Sequence, residues 1–187
     1  MRELIGAGLM SLGYKINSKN PAEIDAAVAQ VLKWKENARK FDSESYKNEV
    51  ASKATWVGLG YSTDATQVIL GEEEGEERDD IGFVLPDEGF TIACDEMVIS
   101  SKSENPDLAY RFIDFVYQTE VAKVNMEYIM GPMPVKPAIE ALDPDYRKQI
   151  VLAPEKISKG QPLDTIENDP VAKKLYDDAW DRIKATK

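Results

Sequence analysis

Of the four Asn/Asp-Pro dipeptides in this chain, three, Asn20-Pro21, Asn105-Pro106 and Asp169-Pro170, mark where three of its helices begin. Each joins a side-chain acceptor, which satisfies a free first-turn amide, to a proline whose missing N–H is not needed there. After the first, Glu23 stands at the capping-box position, and Ile24, Val28, Val31 and Leu32 form an apolar stripe. After the second, Leu108, Phe112, Phe115 and Val116 give a broad apolar face, and a break near Gln118-Thr119 separates a further helix ending at Met130. The third opens a helix from Pro170 to Ile183, with Leu175, Ala179 and Ile183 on one side and Trp180 beside them. Residues 1–12 carry Leu4, Ile5, Leu9 and Leu12 at helical spacing, with Gly13 as the stop.

Strand-like segments lie between these helices, so the pattern is α/β. Thr55–Tyr61 reads as a buried strand, followed by Ser62-Thr63-Asp64 and a helix through Leu70. A strand, a polar turn and a helix N-terminus are where open α/β sheets tend to hold ligands, although Thr63 or Asp64 in that place also suits a helix cap. Further strands are predicted over 81–85 and 90–99, with Pro86-Asp87-Glu88-Gly89 turning between them. Asp95 and Glu96 interrupt the second; alternation sends them to opposite faces, so one is exposed and the other needs a partner or an opening. Gly71–Asp80 is acidic without the ligand spacing of a calcium loop and reads as a solvated surface loop. Residues 131–168 hold six prolines and read as irregular connections with a short helix or two.

Composition narrows the chemistry. The 187 residues contain no histidine, which removes Ser-His-Asp and Cys-His catalysis and the usual zinc sites. The one cysteine, Cys94, has no partner for an internal disulfide and is expected to be a small buried apolar residue. Thirty-four acids against 23 bases give a net charge of −11, which repels nucleic acid and anionic membranes and attracts cations. No apolar run approaches the roughly 18 residues of a membrane span, and the first residues lack the pattern of a signal peptide. Carboxylate chemistry or plain binding remains, with no metal or cofactor predicted.

The motifs, in order, resemble the polyamine-binding proteins of ABC importers. Arg2-Glu3-Leu4-Ile5-Gly6, Leu12-Gly13-Tyr14-Lys15-Ile16-Asn17-Ser18 and Asn20-Pro21-Ala22-Glu23-Ile24 open the likeness. Phe41-Asp42-Ser43, Gly60-Tyr61-Ser62-Thr63-Asp64-Ala65 and Ile81 to Gly89 continue it, and Asn105 to Phe115 is its most recognisable helix. The likeness weakens after about residue 140. Such proteins have two α/β lobes around a cleft and up to about twice this length, so the resemblance implies a truncated type II-like periplasmic binding fold. Residues 1–93 would form the second lobe, 94–158 would belong to the first, and 159–187 would return to the second. Met1 is then expected to be an internal or expression-start methionine rather than the start of a complete protein.

In the family, carboxylates pair with the ammonium ends of the ligand and aromatic rings sandwich its methylenes, as suits a cation with charged ends and an apolar middle. The resemblance places Glu3 and Asp95 among those carboxylates, Tyr61 in the aromatic wall, and Ser43 at a ligand-touching hydroxyl. Each has a plainer reading. Glu3 suits a helix first turn, Asp95 a buried acid held by amides, Tyr61 strand-end packing, and Ser43 a cap for a helix starting at Glu44. The acid that the family places three residues before Glu3 has no counterpart. Ala93 and Gly131 replace aromatic residues of the family, and Ile166 falls near a ligand-binding glutamine.

The resemblance implies an extracytoplasmic solute-binding component, free in the periplasm or anchored in its full-length form. It would capture spermidine or putrescine by lobe closure and deliver it to a membrane permease, with no catalytic residues. The changes at Ala93 and Gly131 keep a different small solute open as the ligand. An enzyme of another class, a hydrolase using Glu3 and Asp95 as paired carboxylates, is the remaining alternative. With most of the first lobe absent, the Phe112-Phe115 face should be exposed and invite a second copy or a swapped segment.

Overall fold

The structure, a computed structural model, describes residues 1–71, 76–150 and 154–186. Among them the chain forms α1 (Arg2–Ser11), α2 (Pro21–Lys35), α3 (Tyr46–Ala51), α4 (Ser62–Leu70) and β1 (Phe90–Ile92). It continues through α5 (Pro106–Val116), α6 (Thr119–Ile129), α7 (Lys136–Glu140) and α8 (Pro144–Ile150). A 3-10 turn (Pro154–Lys159), β2 (Gly160–Pro162) and α9 (Pro170–Ala185) complete the order. The chain divides into two compact units: Met1–Ser43 with Val84–Ala93 and Glu155–Lys187, and Glu44–Phe83 with Cys94–Pro154.

In the first unit, α1, α2 and α9 enclose a core of Ile5, Leu9, Ile24, Val28, Val31, Tyr176 and Ile183, with Ile166 beside them. Each large aliphatic side chain buried there contributes roughly 1.5–3 kcal/mol of transfer free energy. Helix α1 ends as expected at Gly13, whose φ of +79° suits glycine. The amides of Gly13 and Tyr14 donate to the carbonyls of Met10 (2.9 Å) and Leu9 (3.0 Å), a Schellman ending. Leu12, placed on the apolar stripe by its spacing, is exposed beyond that ending.

Two of the three predicted Asn/Asp-Pro starts are side-chain caps. Asn20 Oδ1 accepts the Ala22 amide at 3.0 Å, and Asp169 Oδ1 accepts the Ala172 amide at 3.0 Å. Glu23 does not close a capping box; it accepts the Ser18 hydroxyl at 2.5 Å, and the Asn20 amide donates to Ser18 Oγ at 3.2 Å. Asn105 makes no side-chain cap bond, although α5 begins at Pro106 as expected.

The strand predictions are largely corrected. The sheet among the described residues has two strands, β1 and β2, parallel in the register Phe90↔Gly160, Thr91↔Gln161 and Ile92↔Pro162. Residues 55–61, 81–85 and 94–99 form no ladder. A strand needs a neighbour to take its amides and carbonyls, and these segments have none among the described residues. Side chains expected inside are consequently outside: Trp56 is 86% and Val57 88% exposed. Cys94 is exposed rather than buried, and Asp95 and Glu96 are both exposed rather than alternating in and out.

The second unit centres on Ala122, Met126, Val135, Ala138, Leu142 and Ile150, flanked by Leu70, Met133, Ile139 and Tyr146. Asp143 Oδ1 accepts the amides of Asp145 and Tyr146 at 2.9 and 3.0 Å, which caps α8 and holds the Asp143 carboxyl below its ordinary pKa. Helix α5 contributes no buried residue, and Phe112 is 61% exposed on its apolar face. The acidic loop expected over 71–80 lies partly outside the described residues, at 72–75. Its return is tied down by Arg78, which donates to Ala51 O (2.8 Å) and pairs with Asp80 (2.8 Å). Lys53 also reaches Asp80, at 2.6 Å. The Arg78 hydrogen bond, then that of Lys53, holds the Asp80 carboxyl far below its ordinary pKa.

Candidate functional site

Glu3 sits in the first turn of α1, where the helix dipole favours an acid. Its carboxylate is 42% exposed and lies 3.4 Å from the amino group of Met1. Arg2 holds this turn in place. Its guanidinium donates to Asp164 O at 2.6 Å and Asn17 Oδ1 at 2.9 Å, and lies over the Tyr176 ring, 4.6 Å from the centroid. Ser43, in the same unit, is exposed. Because α3 begins only at Tyr46, Ser43 does not occupy the capping position expected of it.

Tyr61 and Asp95 belong to the second unit. Tyr61 is the N-cap residue of α4, with extended backbone and a side chain left 58% exposed. The neighbourhood below it was not legible in the sequence. The Tyr46 hydroxyl donates to Asp64 Oδ2 and accepts the Tyr61 amide N–H at 3.0 Å. Lys47 Nζ stands 4.0 Å from the other Asp64 oxygen and donates to Gln67 Oε1 at 3.0 Å. Asp64 is therefore bound to a phenol rather than spent on a backbone cap. Partial burial, reinforced by the Asp64 hydrogen bond, pushes the Tyr46 phenol up to about 12. Asp95 lies exposed in the irregular stretch after β1, so it is not the buried acid held by amides.

The three departures from the polyamine-binding pattern have distinct surroundings. Ala93 is exposed. Gly131 is buried, and a Cβ there would come 2.8 Å from Thr63 Oγ1, so a larger residue would first have to displace Thr63. Ile166 packs in the core of the first unit, an apolar position where a glutamine would be buried. A groove of about 460 Å³ runs between residues 97–103 and α5; none of the four candidate residues lines it. Among the described residues, no group of three or more His, Cys, Asp or Glu side chains is arranged to hold a metal.

Residues 3–153 match the bacterial extracellular solute-binding protein family. The chain belongs to that family. It is a family of solute-binding proteins, not of enzymes, which sets aside the paired-carboxylate hydrolase. The putrescine/cadaverine-binding protein of Pseudomonas aeruginosa is 32% identical over 185 residues, covering 98% of this chain and 52% of the relative. The spermidine/putrescine-binding periplasmic protein of Escherichia coli is 28% identical over 187 residues, covering 98% and 51%. The crystal structure of the spermidine/putrescine ABC transporter substrate-binding protein PotD from Streptococcus pneumoniae superposes with a TM-score of 0.78 at 28% identity. That match covers 98% of this chain and 55% of PotD. The resemblance to polyamine-binding proteins and the partial two-lobed fold are thus borne out, and the chain spans about half the length of these relatives. No helix among the described residues is long and apolar enough to cross a membrane.

Proposed function

We propose that this chain serves an ABC importer as an extracytoplasmic substrate-binding component that captures a polyamine such as putrescine or spermidine and hands it to a membrane permease. The observation that carries the reading is the 32% identity to a putrescine/cadaverine-binding protein across 98% of the chain. The net charge of −11 is consistent with a cationic ligand. In this reading Glu3 and Asp95 are carboxylates for ammonium groups, Tyr61 is a π-face for the methylene chain, and Ser43 is a hydroxyl contact. The exposure of all four side chains leaves them accessible to such a ligand.

The lobe assignment belongs to the same proposal: residues 1–93 in the second lobe, 94–158 in the first, and 159–187 returning to the second. The compact units group 44–83 with 94–154 instead, so whether 1–93 folds when expressed alone decides between the two divisions. Helix α5 also offers its apolar face to a second copy or a swapped segment. Light scattering that finds a monodisperse monomer at all concentrations removes that part of the reading.

Ala93 and the buried Gly131 favour one second reading, a different small solute on the same fold. A thermal-shift comparison separates the two, using this chain joined to the half that its relatives have and it does not match. Putrescine, cadaverine and spermidine should raise the midpoint more than neutral sugars or amino acids do. A larger shift with a non-cationic solute would replace the polyamine by that solute.

A further inference from the structure

We infer that Tyr46 is a positioning residue for the ligand wall: through its hydroxyl and its ring it fixes the backbone that presents Tyr61. The inference rests on the reading of Tyr61 as a ligand contact. Residues 55–61 have no ladder, and Trp56, Val57 and Leu59 among them stand exposed, so neither sheet hydrogen bonds nor burial of these side chains anchors the segment. Tyr61 nevertheless has a defined donor geometry, because its amide gives its hydrogen to the Tyr46 oxygen at 3.0 Å.

The direction of that bond is set by charge. An ionised carboxylate only accepts, so Asp64 takes the single phenolic hydrogen of Tyr46 and leaves the oxygen's lone pair for the Tyr61 N–H. Lys47 Nζ, 4.0 Å from the other Asp64 oxygen, sets a cation beside the same carboxylate. The Tyr46 ring completes the clamp. It lies so close under Gly60 that a Cβ there would overlap the ring, and a Cβ at Gly58 would touch it at 3.6 Å. Phenol, carboxylate and two glycines therefore meet beneath one exposed aromatic side chain.

The test pairs two readouts on Tyr46→Phe, which keeps the ring and removes the hydroxyl. In the 187-residue chain, amide hydrogen exchange at Tyr61 should accelerate about tenfold while exchange inside α6 stays unchanged. In the chain joined to the half it lacks relative to its relatives, spermidine affinity by calorimetry should fall about three- to tenfold, and this loss should vanish in a Tyr61→Ala background. Asp64→Asn, which leaves the ring in place and removes only the charged acceptor, should move both readouts the same way by less. Unchanged exchange at Tyr61, or an affinity loss that persists in full without the Tyr61 ring, overturns the inference while the ligand reading stands. If Tyr61→Ala alone leaves spermidine affinity intact, the ligand reading of Tyr61 fails, and the positioning role fails with it.

Discussion

The phenol oxygen of Tyr176 lies 2.9 Å from the carbonyl of Ser18 and 3.1 Å from that of Ile16, about 160 residues away in sequence. One hydroxyl hydrogen cannot serve both carbonyls fully, so the group either shares it or favours Ser18. This buried tyrosine thereby joins α9 to the connection between α1 and α2, while its ring carries the Arg2 guanidinium. Tyr176→Phe keeps the packing and is expected to cost about 1 kcal/mol, whereas Tyr176→Ala should cost about 3–5 kcal/mol by opening a cavity. Urea unfolding of the two variants checks the ordering.

The cap at Asp169 predicts a stability dependence on the acid side. The Ala172 amide, then Lys19, holds the Asp169 carboxyl below its ordinary value. A folded pKa below the unfolded one means that the contribution is present above the unfolded value, near 4, and is lost as pH falls through the folded value. Asp169→Ala should lower stability at neutral pH, while Asp169→Asn should keep most of the cap and show a weaker acid dependence. Chemical denaturation at a series of pH values distinguishes them.

On the alkaline side the sign reverses. Burial raises the pKa of Tyr46, Tyr146 and Tyr176, with Tyr46 reaching about 12. Each contribution is complete below the unfolded tyrosine value, near 10, and is lost as pH rises through the folded value. The denaturation midpoint should therefore fall above about pH 10, and Tyr46→Phe should flatten that fall.

How much was legible beforehand follows from where each feature's chemistry resides. Asn20, Asp169 and Gly13 act within their own turns, so composition and spacing sufficed to place them. Glu23 does not close the capping box that its spacing suggests, because Ser18, five residues upstream, offers it a hydroxyl at 2.5 Å that a capping pattern does not encode. The segments at 55–61 and 94–99 have the composition of strands, but a strand exists only with a neighbour, and these have none among the described residues. Glu3, Ser43, Tyr61 and Asp95 came from resemblance, whereas Tyr46 and Asp64 meet across 18 residues through a tertiary contact that no local pattern announces.

Gly60 offers a stringent check on that contact. Gly60→Ala puts a methyl group against the Tyr46 ring and should destabilise the second unit by about 1–3 kcal/mol through overpacking. Combining it with Tyr46→Ala should recover much of the penalty caused by the methyl clash. Thermal unfolding of the single and double variants tests this coupling.

Isothermal titration of spermidine and putrescine into this chain, joined to the half of the binding protein that it does not match in its relatives, tests the central claim most directly. The account predicts saturable binding that weakens at least tenfold in Asp95→Asn, roughly 1.4 kcal/mol or more, with the variant still folded by circular dichroism. No detectable binding by a folded protein, or full affinity retained without the Asp95 charge, would contradict it.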